Sequence, residues 1–112
     1  DADTMHNYGW YLCQQKRYGE ATAMFSLALA QPQYQGLSRT LLAQGVCQAF
    51  AGQLLESEAT LTRAYELDPA NPFTAVNLSE VLYRRGEFER AHAYVDEAWV
   101  LSGAGAPTAA ES

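Results

Sequence analysis

Three triads of small residues, each spaced twelve and then seven residues apart, constrain this chain more than any other feature of its sequence. Gly9, Ala21 and Ala28 form the first, Gly45, Ser57 and Ala64 the second, and Ser79, Ala91 and Ala98 the third. Gly9 precedes Gly45 by 36 residues and Gly45 precedes Ser79 by 34. A spacing kept through three copies means one supersecondary unit used three times, each burying its apolar face against its neighbours. Within a unit, Gly, Ala or Ser at facing positions lets two antiparallel helices approach closely, while larger residues fill the flanking layers. Those larger residues are Met5, Leu12, Tyr18 and Phe25, then Leu41, Leu54 and Leu61, then Leu78, Leu82, Phe88 and Val95.

A period of 34 is that of the tetratricopeptide helix–turn–helix repeat. The expected fold is therefore all-α: a right-handed superhelical stack of three such repeats, six helices, in one domain over residues 1–101. The repeats cover about 2–35, 38–69 and 72–101. The two extra residues of the first repeat fall in the turn-rich connector from Gln31 to Gly36, where insertion disturbs no packed face. Helices are expected at about Asp3 to Gln15 with Asp3 or Thr4 as cap, Tyr18 to Ala30, Ser38 to Ala51 with Ser38 as cap, Leu55 to Leu67, Pro72 to Arg85, and Phe88 to Leu101. Gly52 closes the third in a left-handed turn, Gly86 stops the fifth, Pro32 ends the second, and Pro72 opens the fifth. No stretch alternates with a period of two, so no sheet is expected. Residues 102–112 are a Gly/Ala-rich tail without a large apolar side chain and are expected to be flexible.

Charge narrows the function. The formal net charge is −6, and the two adjacent basic pairs, Lys16-Arg17 and Arg84-Arg85, sit at helix ends, where cations suit the dipole. Nucleic acid and anionic membrane surfaces are disfavoured as partners. No apolar run approaches the ~20 residues of a membrane span. Catalysis needs a nucleophile or base beside a second polar group, and His6, His92, Cys13 and Cys47 are scattered. They also lack the short intervals of metal ligands, and no Gly-rich phosphate loop occurs, so neither enzyme activity nor a metal or other cofactor is expected.

Binding has positive support. In a stack of this kind the first helix of each pair lines a concave groove, with groove positions recurring at i, i+3, i+7 and i+10 or i+11. The first helix then contributes His6, Trp10 and Gln14, flanked by Asp3 and Cys13. The second contributes Arg39, Leu42, Val46 and Phe50, the third Phe73, Val76, Glu80, Tyr83 and Arg84. The floor is apolar and aromatic with charges at its ends, which suits an apolar strand or amphipathic helix of a protein partner. Trp10 fits groove and inter-repeat packing equally, whereas Tyr8, Leu12 and Phe25 are expected in the core. Cys13 and Cys47 lie 34 residues apart, on neighbouring helices at similar heights. A disulfide needs their Cα atoms within ~7 Å, and two buried thiols are the other reading.

Asn7 to Gln15 followed by Tyr18, then Pro32, Tyr34, Leu42, Gly45, Cys47 and Gly52, then Asn77 to Glu80 and Leu82 to Gly86, resemble the type IV pilus biogenesis lipoproteins of the pilotin class. The likeness covers residues 7–101, and Trp10, Cys13, Gln14 and Gln15 carry its specificity, because a helix pair does not demand them. Lys16 stands where that family has a turn glycine. The resemblance implies a non-catalytic scaffold at the periplasmic face of the outer membrane, assisting secretin localisation or assembly, with the secretin or another pilus-assembly component as partner. It also implies an oxidising compartment, in which Cys13 and Cys47 would be bridged. A generic tetratricopeptide adaptor in another bacterial secretion or envelope complex is the alternative. The chain opens inside a repeat, with no leader or lipid-attachment cysteine near its start, so such a segment either lay upstream and was removed or belongs to a longer protein. At the other end, Leu78, Leu82, Val95, Trp99 and Leu101 offer an apolar flank with only the small-residue tail after it, implying further repeats, a partner, or a homodimer through the third repeat.

Overall fold

The computed structural model describes residues 1–103, so the tail expectation falls, from residue 104 onward, outside the described residues. Six helices run in order: α1 Ala2–Gln14, α2 Tyr18–Leu29, α3 Leu37–Phe50, α4 Leu54–Leu67, α5 Pro72–Arg84 and α6 Phe88–Leu101. Among the described residues there is no strand. The odd-numbered helices, here the A helices, each pack on the B helix that follows, and each B helix packs on the next A helix. The result is an elongated stack measuring 50 × 29 × 20 Å.

All nine small residues are buried. At Gly45 the reason is metric: a Cβ there would come within 2.5 Å of Leu61 Cδ2, and one at Gly9 within 2.9 Å of the Phe25 ring. The third unit carries Ser79 opposite the smaller Val95, so bulk shifts from one helix to the other. Ser57 also joins its pair directly, its hydroxyl donating to Gly45 O at 2.6 Å.

The three A-to-B turns share one construction. Arg17, Gln53 and Glu87 donate their N–H to the carbonyls of Leu12, Gln48 and Leu82, while Lys16, Gly52 and Gly86 donate to Cys13, Ala49 and Tyr83. This double closure is the Schellman motif, and it needs a left-handed residue. Gly52 and Gly86 adopt φ of +81° and +82°, and Lys16 is forced to +62°. Two expected caps are corrected. Asp1, rather than Asp3 or Thr4, accepts from Thr4 N at 2.7 Å, because a cap acts on the N–H two or three residues on. Ser38 lies inside α3, whose cap position is Gly36 without a side-chain bond, since the helix is entered two residues earlier than a Ser38 cap requires.

The core has two clusters. Leu12, Cys13, Ala21, Phe25 and Cys47 fill the first two repeats, and Ala49, Leu61, Leu78, Val81, Leu82 and Ala91 fill the second and third. Tyr8, expected in the core, is instead half exposed and stacked on Tyr11, because both rings leave α1 on its outer side. Leu78 and Leu82 are also corrected: at 1% and 0% exposure they point back into the second repeat instead of forming the open flank.

Candidate functional site

The A helices present a groove of about 440 Å³ lined by His6, Trp10, Arg39, Leu42, Ala43, Val46, Phe73 and Asn77. Six of the residues expected to line a groove thus meet in it: His6 and Trp10 from α1, Arg39, Leu42 and Val46 from α3, and Phe73 from α5. Trp10 serves both roles that the sequence left open, since it also packs against the first core cluster.

The remaining six go elsewhere, for a reason of register. Gln14, Phe50 and Arg84 occupy one row, related by the offsets of 36 and 34, at the carboxyl ends of the A helices. Gln14 and Phe50 are exposed beyond the groove, and Arg84 reaches back to donate to Ala49 O at 3.1 Å. Val76, Glu80 and Tyr83 line hollows shared with α6 in place of the groove, because α5 is the last A helix among the described residues. Ala43 and Asn77 were missed. Asn77 follows Phe73 by one helical turn and so shares its face, which was the available clue.

Polar order is concentrated at one end of the groove. His6, 8% exposed, shares a hydrogen bond between Nδ1 and Thr40 Oγ1 at 2.8 Å. The same hydroxyl meets Tyr34 Oη at 2.8 Å, and Arg39 donates to Tyr34 Oη at 3.3 Å and to Asp3 at 2.9 Å. The two-residue insertion therefore supplies Tyr34 to a buried relay rather than idling in a turn. Burial, helped by the Arg39 guanidinium, holds the His6 imidazole below its ordinary range, and Asp3 offsets only part of this. His6 is thus a neutral wall of the groove near pH 7. Cys13 and Cys47, both buried, are joined as a disulfide beneath Trp10, with Cα atoms 5.9 Å apart.

His92 is exposed, 3.8 Å from Asp96. Among the described residues, no group of three His, Cys, Asp or Glu side chains could hold a metal ion, and no helix is long and apolar enough to cross a membrane. What the groove offers is apolar and aromatic contact area beside one guanidinium and one carboxamide. Such a surface can hold a segment of polypeptide.

Among proteins related by sequence, the type IV pilus assembly protein PilF of Pseudomonas aeruginosa is 26% identical over 96 residues, 86% of this chain and 38% of that protein. Among solved structures, PilW, described as a widely conserved type IV pilus biogenesis factor, superposes with a TM-score of 0.87 at 31% identity, covering 92% of this chain and 47% of PilW. The chain thus spans less than half the length of these relatives. The type III secretion chaperone SycD of Yersinia enterocolitica shares the fold, with a TM-score of 0.83 at 20% identity over 91% of this chain and 76% of its own. The tetratricopeptide repeat model matches residues 2–30 and 74–110, the first and third units, more than half of the sequence. With six helices stacked as three registered pairs around these matches, the chain belongs to the tetratricopeptide repeat family.

Proposed function

We propose that this chain is a non-catalytic interaction scaffold of type IV pilus assembly, holding a segment of a protein partner in the groove of α1, α3 and α5. The observation that carries this reading is the groove itself, where Trp10, Leu42, Val46 and Phe73 converge beside Arg39. Sequence likeness to PilF and PilW points the scaffold toward the pilus. The more specific assignment is a pilotin-like role at the periplasmic face of the outer membrane, with the secretin as partner. A periplasmic setting accords with the Cys13–Cys47 disulfide.

The test is capture of the secretin from detergent-solubilised envelopes of a pilus-bearing cell, using the wild-type chain and a Trp10→Ala, Val46→Glu double variant with retained helicity. Wild-type capture with at least tenfold loss in the variant is expected, since buried aromatic anchors dominate such interfaces. Equal capture by both would place the partner outside the groove, and no capture by either would remove the secretin assignment.

A further inference from the structure

The side chain that sets the polarity of the groove is Arg39, which with a neutral His6 is the one charged residue among those lining it. It stands in the registered row Asp3, Arg39, Phe73 at the amino ends of the A helices, so the first repeat carries an acid there, the second a base and the third a ring. What holds the guanidinium comes from the two-residue insertion. A Cβ at Gly36 would come within 2.5 Å of Tyr34 Oη, so the Tyr34 ring lies across a backbone that a larger residue would close. The Tyr34 hydroxyl is fixed by the buried Thr40, itself bonded to His6, and its oxygen accepts from Arg39 Nη2. The connector between the second and third repeats is two residues shorter and holds no tyrosine.

Arg39 is thus preorganised without being consumed. Its Nη2 also donates to the Asp3 carboxylate at 2.9 Å, while Nε and Nη1 have no hydrogen-bond partner among the described residues. The Arg39 and Asp3 side chains are 53% and 73% exposed, and an ion pair so open to water contributes little. A carboxylate resting on one nitrogen of a five-donor fork occupies ground that a bidentate carboxylate would hold better. Trp10, Leu42, Val46 and Phe73 supply apolar area beside it. The whole chain carries a net charge of −6, so an acidic ligand gains nothing from long-range attraction, and any preference for it must come from this contact.

We infer that Arg39 selects a partner segment bearing an aspartate or glutamate side chain among apolar residues, and that Asp3 is the internal carboxylate which this acid displaces. The inference rests on the α1/α3/α5 groove being the partner site, as proposed above. Tyr34 is then a positioning residue that acts through Arg39.

A library of short random peptides is selected on the intact chain, and those that shift the Trp10 indole resonance are resynthesised with amidated carboxyl ends, so that only a side-chain carboxylate can answer. An acid at one fixed distance from an apolar pair is expected. Replacing it by its amide should weaken binding about tenfold, the loss typical of a charged hydrogen bond. That acid-to-amide ratio should collapse in Arg39→Gln, an exposed site where helicity is retained. Asp3→Asn should tighten the acidic peptide about threefold, as removal of a surface ion pair allows, and leave the amide peptide unchanged. Tyr34→Phe should lower the ratio while the amide peptide binds as before. Peptides that reach Trp10 without an acidic preference, a ratio unchanged in Arg39→Gln, or an acidic peptide weakened by Asp3→Asn would each overturn the inference and leave the groove reading standing. If no peptide reached Trp10, the groove reading would fall and this inference with it.

Discussion

The two junctions inside this stack have the same geometry and different chemistry. Between the first and second repeats, Cys13 and Cys47 are covalently joined and His6, Thr40 and Tyr34 form a buried polar relay. Between the second and third, the registered positions of the two cysteines are Ala49 and Val81, and the contact is apolar. Leu78 there replaces the buried Gln44 of the first junction. Ionic contacts flank it: Glu58 accepts from Arg85 and from Arg90, and the Tyr65 hydroxyl donates to Glu97. The difference teaches that the small-residue triads set how closely the helices pack, and that any chemistry which fills the remaining space will serve. It also makes the first junction sensitive to redox state and acid and the second to cavity formation and alkali.

The largest effect is expected from truncation in the second junction. Leu78→Ala removes a side chain that is 1% exposed, and should cost about 3–4 kcal/mol in urea denaturation. The third repeat should then lose its protection from hydrogen exchange first.

Reduction tests the first junction. Opening a link between residues 34 apart should cost about 3 kcal/mol in the same assay, through the looser unfolded chain. The pair Cys13→Ala, Cys47→Val writes the second junction's residues into the first and should lose less than the corresponding pair of serines. If the two pairs were equally unstable, the two junctions would not be interchangeable.

Two substitutions should stabilise by about 1 kcal/mol each. Gln48 stands between Leu12 and Leu82 in register, and its Oε1 is buried without a hydrogen-bond partner among the described residues. Gln48→Leu removes that cost. Lys16→Gly relieves a left-handed φ that Gly52 and Gly86 adopt freely. Thermal melts check both, and a lower melting temperature in either would refute the register reading at that position.

The smallest effects are those of pH, and their signs separate the junctions. The His6 pKa is lowered on folding, so its contribution is complete above 6.5 and falls away as pH drops below it, because the unfolded chain binds the proton more tightly. His6→Leu should flatten that acid limb. Tyr65 is raised from 10.0 to about 12, first by its hydrogen bond to Glu97, so its contribution is complete below 10 and is lost as pH rises through about 12. Tyr65→Phe should flatten the alkaline limb alone.

What the sequence determined by itself was everything that depends on period. The number of units, the six helices, the buried triads and the helix stops at Gly52 and Gly86 follow from spacing, because a helix pair places the same atoms together wherever the interval recurs. Half of the expected groove also followed, since His6, Trp10, Arg39, Leu42, Val46 and Phe73 share the rows that face one another. Only the tertiary structure decided the rest. It turned Val76, Glu80 and Tyr83 from groove residues into a trough, because burial depends on which neighbour is present and not on position within a repeat. It buried His6 against Thr40 and brought Tyr34 from the insertion to the same hydroxyl, a meeting of residues 34 and 6 positions apart that no local pattern encodes. A period fixes what every copy shares; the departures from it are settled by contact in three dimensions.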